Sequence, residues 1–424
     1  MSAVAVANSK RRAKAQAPAA MRERLEAFGE EVLAEATNRP AQTANGGLYL
    51  RGLLEEGRRK SLEPLVNRLG SEADYQSMQQ FLTDSPWDPA AVVRAVAERV
   101  VSEIEVEAWV LDDTGFPKDG VDSPGVKRQY SGTLGKIGNY QIGVSLHAVG
   151  AKGTAPLGWA LYLPEEWCQD AERRAKAKIP DEVTFKTKPE LGVELVERAS
   201  EWEIPAAPVL GDQAYGENTE LRDRLDEAGS EYVLAVGPTT TVFAPETTFE
   251  LPERRGKKGR PQTKPRPDRE ACSIGDLIRR LGTDRAQSLA FRDGPDGEPM
   301  SSRFVFIRVR AAHHWRPGAG KWRSGAQAPP REEWLIAEWP EGEEAPTDYW
   351  LSNLPADTEP ERLAHFARLR WKVKLDYRQL KGELGLDHYE GRSHLGWHHH
   401  TALVTAAHGF LTLERLRPKA PRSA

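Results

Sequence analysis

The sequence predicts an α/β protein in which a mixed sheet carries a β-rich insertion and follows a helical N-terminal domain. Between residues 21 and 104, apolar residues recur every three to four positions, as on one face of a helix. Between residues 105 and 237, three β-rich runs are followed by alternating helical and apolar strand segments, which is typical of a mixed sheet. At 424 residues, the chain is long enough for two or three structural units.

Changes of pattern along the chain predict the domain boundaries. The first twenty residues carry basic side chains without apolar periodicity, so we interpret them as a disordered basic tail, with a nucleic-acid-contacting arm as the alternative. The predicted layout is a tail over 1–20, a helical domain over 21–104, an α/β domain over 105–237, a β-rich insertion over 238–355, C-terminal helices of the α/β domain over 356–418, and a tail over 419–424.

The composition argues against several classes of protein. No run of eighteen apolar residues is present, and the N-terminal charges follow the short apolar stretch, the reverse of a secretory signal. We therefore expect a cytoplasmic protein without a membrane span. Cys168 and Cys272 are far apart and lack CxxC spacing, which argues against a disulfide framework and a thiolate zinc site. Any bound metal then has oxygen or imidazole ligands.

Two predicted strands end on aspartates. The apolar run from Trp109 to Leu111 ends at Asp112 and Asp113, and a second apolar run ends at Asp212 before a helix. Because open α/β sheets place ligands beyond the carboxyl ends of their strands, these aspartates can converge there. Sparse carboxylates on neighbouring strands suit a pair of Mg²⁺ ions in phosphoryl transfer. Taken singly, each aspartate also fits a helix N-cap or a turn.

Five runs occur in a fixed order along the chain: VLDDTGFPK, RQYSGTLGKIGNYQIGVSL, GDQAYG, RWKVKLDYRQLKGELGLDHYEGR and GWHHH. In order and spacing they resemble the seven-hundred-and-one family of insertion-sequence transposases, in the DDE superfamily, over nearly the whole chain. The resemblance implies an RNase H-like catalytic domain that is split by the β-rich insertion. It also implies that Asp113 and Asp212 are the first two catalytic carboxylates and metal ligands, with Asp112 a turn residue or a neighbour that supports them.

The last catalytic helix departs from the family pattern. Arg370 and Lys381 match the family's Arg and Lys, but Ala367 stands for its Tyr and Lys374 for its catalytic Glu. A charged Lys cannot ligate Mg²⁺, and its ammonium would compete with the ions for the aspartates. Asp376 lies about 200° round a regular helix from position 374 and so faces another way.

Another carboxylate could complete the site if the chain turns back at Gly382, since glycine commonly ends helices. The candidates are Glu383, Asp387 and Glu390, although Glu383 lies about 180° from position 374 on a regular helix. The substitution therefore leaves two hypotheses open. The chain is either an active enzyme or a transposase-derived DNA-binding protein without catalysis.

A cationic strip on the same helix is the first candidate for DNA contact. Arg370, Arg378 and Lys381 recur at helical spacing near Lys374, which suits a DNA backbone. A solvated charged face is the alternative interpretation.

Histidines and basic segments are further candidates. Consecutive helical residues point about 100° apart, so His398, His399 and His400 cannot all ligate one ion, and DNA contact, packing or support of a ligand is expected. Two segments of the insertion mix basic residues with Trp, which suits phosphate contact and base stacking, a disordered basic loop being the alternative. They are Arg254, Arg255, Lys257, Lys258, Arg260, Lys264 and Arg266, and then His313, His314, Trp315, Arg316, Lys321, Trp322 and Arg323.

The resemblance implies cut-and-paste movement of a mobile element, in which water and then a 3′-hydroxyl attack phosphodiesters. Two Mg²⁺ or Mn²⁺ ions are expected, and no organic cofactor is implied. The expected partners are double-stranded DNA at the element's terminal repeats, bound by the helical domain, target DNA, and a second copy of the chain as a homodimer on DNA. We expect the protein in the bacterial cytoplasm, associated with the nucleoid when bound. A metal-dependent nuclease that cuts without joining is a second alternative.

Overall fold

Five helices lie in the segment whose apolar spacing predicts helices. The computed structural model describes residues 19–131, 135–253, 263–294, 298–316 and 318–418, so the predicted tails lie outside it apart from residues 19 and 20. Asp74 and Asp88 cap the last two helices by accepting from Ser77 N and Ala90 N. The helices are α1 over 19–33, α2 Pro40–Leu54, α3 Leu62–Leu69, α4 Tyr75–Thr83 and α5 Pro89–Ile104, with a 3-10 turn at Gly70–Glu72.

These helices belong to a first unit, formed by Met1–Glu107, Asp112–Pro205 and Lys372–Ala424. Its antiparallel strands run in the order β1, β3, β2, with β4 also paired to β3. The strands are β1 Val106–Pro117, β2 Lys127–Ser131, β3 Lys136–Gly150 and β4 Thr154–Tyr162. The helices that follow are α6 Glu165–Gln169, α7 Ala171–Lys176 and α8 Lys188–Glu201, and a Thr187/Glu190 capping box fixes the start of α8.

A second unit is formed by Ala108–Leu111 and Ala206–Trp371. It contains β5 Val209–Gly211, α9 Gln213–Gly216, α10 Thr219–Glu227, β6 Tyr232–Val236, β7 Thr241–Phe243, β8 Phe249–Glu250, β9 Arg266–Pro267, β10 Cys272–Ser273, α11 Ile274–Leu281, β11 Gln287–Asp293, β12 Pro299–Ala311, β13 Trp315–Arg316, β14 Lys321–Trp322, β15 Glu332–Glu338, β16 Asp348–Ser352 and α12 Pro360–Leu369, with a 3-10 turn at Thr283–Arg285. Strands β1, β5 and β6 are parallel neighbours.

The rest of that sheet is antiparallel and follows β6 in the order β16, β15, β12, β7, β10, with β11 also on β12. The pairs β8–β9 and β13–β14 stand apart from it as two-stranded sheets. Ile278 of α11 packs with strand residues such as Val305, Leu335 and Leu351, all of them buried, to form the core of this part. The β-rich character predicted between residues 238 and 355 therefore corresponds to a run of strands with its own apolar core.

The chain re-enters the first unit with two helices, α13 Trp371–Gly382 and α14 His394–Leu416. Fifteen of the 23 residues of α14 are buried. Gly409 allows its close approach to α5, since a Cβ there would lie 2.6 Å from Val96 Cγ1. The helix therefore fills the space that α5 and its neighbours enclose.

Strand β1 is shared, because its residues 108–111 group with the second unit and its ends with the first. The architecture is a mixed α/β fold with a large mixed sheet, as the sequence predicts. The two units divide the chain at other points than the predicted domain layout, which stays a prediction. No helix within the described ranges is long and apolar enough to cross a membrane.

Candidate active site

Asp212 follows β5 directly and begins α9 as its N-cap. Its Oδ1 accepts from Ala214 N at 3.0 Å, and its Oδ2 lies 3.6 Å from Arg370 Nη1. The side chain remains 33% exposed. Asp212 is therefore a helix N-cap, which is the alternative role that the sequence allowed. It is also an accessible carboxylate beside a cation.

Asp113 lies in β1 and faces Lys188, the first residue of α8. Asp113 Oδ2 is 3.0 Å from Lys188 Nζ, and its side chain is 23% exposed. Asp112 is buried, and its Oδ1 accepts from the backbone N of Asp113 at 2.8 Å. Of the two neighbours, Asp113 is thus the one with the more exposed carboxylate, and its role as a metal ligand stays a prediction.

The register of the parallel strands β1 and β5 sets the positions of these aspartates along the two strands. Trp109 pairs with Val209 and Val110 with Leu210. Asp212 lies two positions beyond Leu210 in the chain, and Asp113 three positions beyond Val110. Asp212 therefore follows the carboxyl end of β5, where α/β sheets place their ligands. Asp113 does not end its strand as expected, because β1 continues to Pro117, and it lies beyond the segment that pairs with β5.

Helix α13 presents Lys374 to solvent and Asp376 to the interior. Lys374 is exposed, whereas Asp376 is buried. Asp376 Oδ2 accepts from His147 Nδ1 at 3.0 Å, and its Oδ1 accepts from Thr154 Oγ1 at 2.5 Å. The opposite orientation of positions 374 and 376 agrees with the helical geometry expected from the sequence, because Asp376 is engaged in the core.

The Asp376 carboxylate is held in its ionised form. Burial alone would raise the pKa of Asp376, but the hydrogen bond from His147 and the nearby imidazole of His408 outweigh burial and hold this pKa well below the usual range of an aspartate. His408 Nε2 lies 3.7 Å from Asp376 Oδ1. A buried anion between two imidazoles thus anchors α13 to β3 and α14.

A chain of hydroxyl and imidazole groups connects this anion to Tyr377. His147 Nε2 lies 3.0 Å from Ser145 Oγ, which is 2.7 Å from the hydroxyl of Tyr377. Burial raises the pKa of Tyr377, and the charges of Asp112 and Asp113 raise it further. The neutral phenol therefore lies within the field of the two aspartates. Its fixed position also fixes the helix that carries Lys374.

The three other candidate carboxylates lie beyond the end of α13. Glu383 is exposed, whereas Asp387 and Glu390 line a cavity of about 480 Å³ together with Lys118. Glu390 forms an ion pair with Arg59, and burial lowers the pKa of Lys118 to about 8. Asp387 and Glu390 thus lie beside cations of the first unit. A role for any of the three carboxylates in a metal site stays a prediction.

The members of the predicted cationic strip have different environments. Arg378 is exposed, and Arg370 is the cation beside Asp212. Lys381 Nζ donates to the carbonyl oxygen of Gly115 at 2.7 Å and lies 5.3 Å from the centre of the Phe116 ring. Burial lowers the pKa of Lys381. Arg378 is therefore the member with the most open side chain.

The consecutive histidines lie near the start of α14, and His399 and His400 are buried. His399 stacks on Trp87 with ring centres 3.7 Å apart, and its ring nitrogens face the carbonyl oxygens of Leu82 and Trp87. His400 lies 2.9 Å from the hydroxyl of Tyr49. Burial lowers the pKa of His399 and lowers that of His400 to about 4. Of the roles considered from the sequence, packing is the one that these contacts support for His399 and His400.

The basic segments of the insertion are only partly described. Arg254, Arg255, Lys257, Lys258 and Arg260 lie outside the described residues. Several later cations are exposed: Arg266, Arg316, Lys321 and Arg323. The expected base stacking by tryptophan was wrong, because Trp315 and Trp322 are buried against Phe243 in an apolar cluster. Their rings are used for packing and are not open to a base.

The sequence analysis missed six residues around Asp113 and Asp376: Ser145, His147, Thr154, Lys188, Tyr377 and His408. Ser145 and His147 interrupt the apolar second half of β3 at alternate positions, so a buried polar pair could have been inferred there. Nothing in the local sequence of Lys188 indicates its partner 75 positions away.

Comparison with known proteins assigns the chain to a family. Residues 32–297, more than half of the chain, match the family model described as DDE superfamily endonuclease. The chain is also 29% identical over 188 residues to a probable transposase for insertion sequence element IS701 from Microchaete diplosiphon. That match spans 44% of this chain and 46% of the relative, so the chain covers less than half of the relative's length. The chain belongs to the DDE superfamily endonuclease family.

Proposed function

We propose that this protein is a DNA transposase that cuts and joins DNA at the ends of a mobile element by metal-dependent phosphodiester hydrolysis and strand transfer. The observation that carries the proposal is the position of Asp113 and Asp212 after the paired parallel segments of β1 and β5, in a chain of the DDE superfamily. The name of the relative, a probable transposase, supports the same activity.

The two aspartates are proposed to hold two Mg²⁺ or Mn²⁺ ions. Both carboxylates are partly exposed hard oxygen donors, and each has a cation beside it, Lys188 for Asp113 and Arg370 for Asp212. The oxygen donors therefore fit these ions, whereas the two neighbouring cations would have to give way to them. When bound, such ions polarise the phosphate and lower the pKa of a bound water.

The proposed DNA contacts are positively charged side chains that position phosphates. Arg370, Arg378 and Lys381 take this role in the catalytic domain, which is proposed to be RNase H-like, and the helices over residues 21–104 bind the terminal repeats. A homodimer would bring two element ends and target DNA together.

A second candidate is a transposase-derived DNA-binding protein without catalysis. The observation that favours it is Lys374, an exposed cation on α13 at the position of the family's Glu. A protein of this kind would bind the element's ends and leave them uncut.

The test uses the full chain and linear DNA that carries the terminal repeats. We expect gel-shift binding that weakens steeply with salt, and weak Mn²⁺-dependent nicking and strand transfer that Asp212→Ala removes while binding persists. Asp181→Ala, at an exposed position, is the matched control. Binding without nicking, for Lys374→Glu as well, would favour the second candidate, and nicking without joining would favour a simple nuclease. No binding at low salt would overturn both DNA-binding proposals.

A further inference from the structure

Asp223, His313 and His314 form a cluster in the second unit. One ligating atom from each lies within 4.8 Å of the others. His314 Nε2 is 3.0 Å from Asp223 Oδ2, and His313 Nε2 is 3.7 Å from Asp223 Oδ1. Two imidazoles and a carboxylate are a typical ligand set for a zinc ion.

Packed elements hold the three side chains in place. Asp223 is on α10, whose neighbouring residues Leu221 and Leu225 are buried. The two histidines form the turn between β12 and β13, and Trp315, directly after them, is buried in an apolar cluster. The cluster is therefore built by the fold, because core residues flank its ligands on both sides.

The ring of His313 has an unused nitrogen. His313 Nε2 is buried and has no hydrogen-bond partner among the described residues, while its Nδ1 lies 3.2 Å from Arg222 Nη2. When a metal ion binds Nε2, the ring proton lies on Nδ1. Nδ1 can then no longer accept a hydrogen bond from Arg222, so the metal bond replaces that hydrogen bond.

Space for a further ligand is present beside the cluster. The three side chains line a cavity of about 520 Å³ that also includes Glu227 and Glu333. A water molecule needs only a small fraction of that volume. Three protein ligands and one water would complete the four-coordinate geometry that zinc prefers.

We propose that Asp223, His313 and His314 bind one Zn²⁺ ion that ties α10 to the turn between β12 and β13. This site is separate in sequence and in ligand chemistry from the proposed Asp113 and Asp212 pair, and it does not depend on the proposed function. The expected effect of the ion is on the stability of the second unit.

The test is a metal titration of the tag-free full chain after treatment with a chelator. Co²⁺ serves as the probe, because tetrahedral Co²⁺ gives visible absorption bands that Zn²⁺ then removes by displacement. We expect the tetrahedral bands to saturate at one equivalent of Co²⁺ and Zn²⁺ to raise the Tm of the chain. We expect His314→Ala and Asp223→Asn to weaken Co²⁺ binding by about tenfold or more, since even losing a group that supports a ligand can cost that much.

His365→Ala and Asp212→Asn are the matched controls, and both should keep the Co²⁺ bands. Circular dichroism establishes that each variant is folded, and the titration of the unaltered chain decides the proposal even if a variant is not. Absence of the bands from the unaltered chain at stoichiometric Co²⁺ would overturn the proposal. Equal affinity in a folded His314→Ala variant, or loss of the bands in Asp212→Asn, would also overturn it.

Discussion

Lys188 Nζ lies 3.0 Å from Asp113 Oδ2, so the carboxylate proposed to hold a metal ion is paired with a cation in the protein itself. The ammonium and a divalent ion would compete for the same oxygen. Ion pairs of partly exposed side chains contribute about 0.2–1 kcal/mol. The competition should therefore be measurable and modest.

We expect Lys188→Met to tighten the binding of Mn²⁺ by about 1.5- to 5-fold, the equivalent of the lost ion pair. Electron paramagnetic resonance of free Mn²⁺ measures this affinity. Lys186→Met is the matched control, because Lys186 pairs with Glu194 at 2.6 Å in the same segment. An unchanged affinity in Lys188→Met, or an equal gain in Lys186→Met, would contradict the competition.

We expect Lys374→Glu to increase the cleavage of terminal-repeat DNA, because it adds a carboxylate and removes a positive charge at the position proposed to match the family's Glu. Adding Asp113→Ala to that variant should abolish the gain. The rates are compared at equal DNA occupancy, so that a change of rate is not a change of binding. Vigorous cleavage by the unaltered protein, indifferent to Lys374→Ala, would show that another carboxylate completes the site. Glu383, Asp387 and Glu390 would then be tested in turn.

We expect Arg378→Ala to weaken DNA binding and to reduce the slope of log affinity against log salt by about one, as for the loss of one phosphate contact. The exposed side chain of Arg378 makes it the clearest test of the proposed strip. Lys176→Ala removes another exposed cation, on α7, as the control. A slope that stays the same in Arg378→Ala would remove this residue from the DNA contacts.

We expect Asp376→Asn to lower the free energy of unfolding by about 1.5–3 kcal/mol at neutral pH, the usual contribution of hydrogen bonds to a charged group. The pKa of Asp376 is lowered in the folded protein, so its contribution is complete above the ordinary aspartate pKa. It is lost as the pH falls from about 4 towards the lowered value. Urea unfolding of the variant, beside the exposed Asp181→Asn, measures the difference. Equal losses in the two variants at neutral pH would contradict the role of the buried anion.

We expect the stability of the protein to fall between about pH 6.5 and about pH 4, in part because His400 is buried as the neutral imidazole. Its pKa is lowered to about 4 in the folded protein, so in this window the unfolded chain binds the proton and the folded chain does not. The effect of this one group reaches on the order of 3 kcal/mol. The gap in unfolding free energy between the unaltered protein and His400→Gln should therefore shrink as the pH falls. A gap that is constant with pH would contradict this account.

The parts of the site that follow from chain-local patterns were predicted from the sequence. An apolar run that ends on an aspartate has a local signature, which is why Asp113 and Asp212 could be selected. Asp212 does follow its strand, whereas β1 continues past Asp113 to Pro117, because the pairing with later strands that extends β1 leaves no mark in that local pattern. The orientation of Asp376 away from Lys374 followed from the geometry of a regular helix.

Contacts between distant residues could not be predicted in the same way. Lys188 is the partner of Asp113 because the fold brings the start of α8 beside β1. No local sequence pattern indicates that contact. Tryptophan among basic residues has the same local composition whether its ring is exposed or buried. The packing of Trp315 and Trp322 on Phe243 arises from strand pairing over about seventy positions, so the composition alone suggested the wrong role.

The separation of α1 and α14 along the sequence has a consequence for biosynthesis. Arg24 of α1 forms an ion pair with Glu414 at 2.6 Å, and Phe28 packs on Phe410 with ring centres 5.7 Å apart. During translation, α1 therefore emerges from the ribosome long before the helix on which it packs. Until α14 has been made, Phe28 lacks this apolar partner, and transiently exposed apolar surface of this kind is what chaperones protect during synthesis. A message that is cut short before α14 would accordingly yield a polypeptide without this contact.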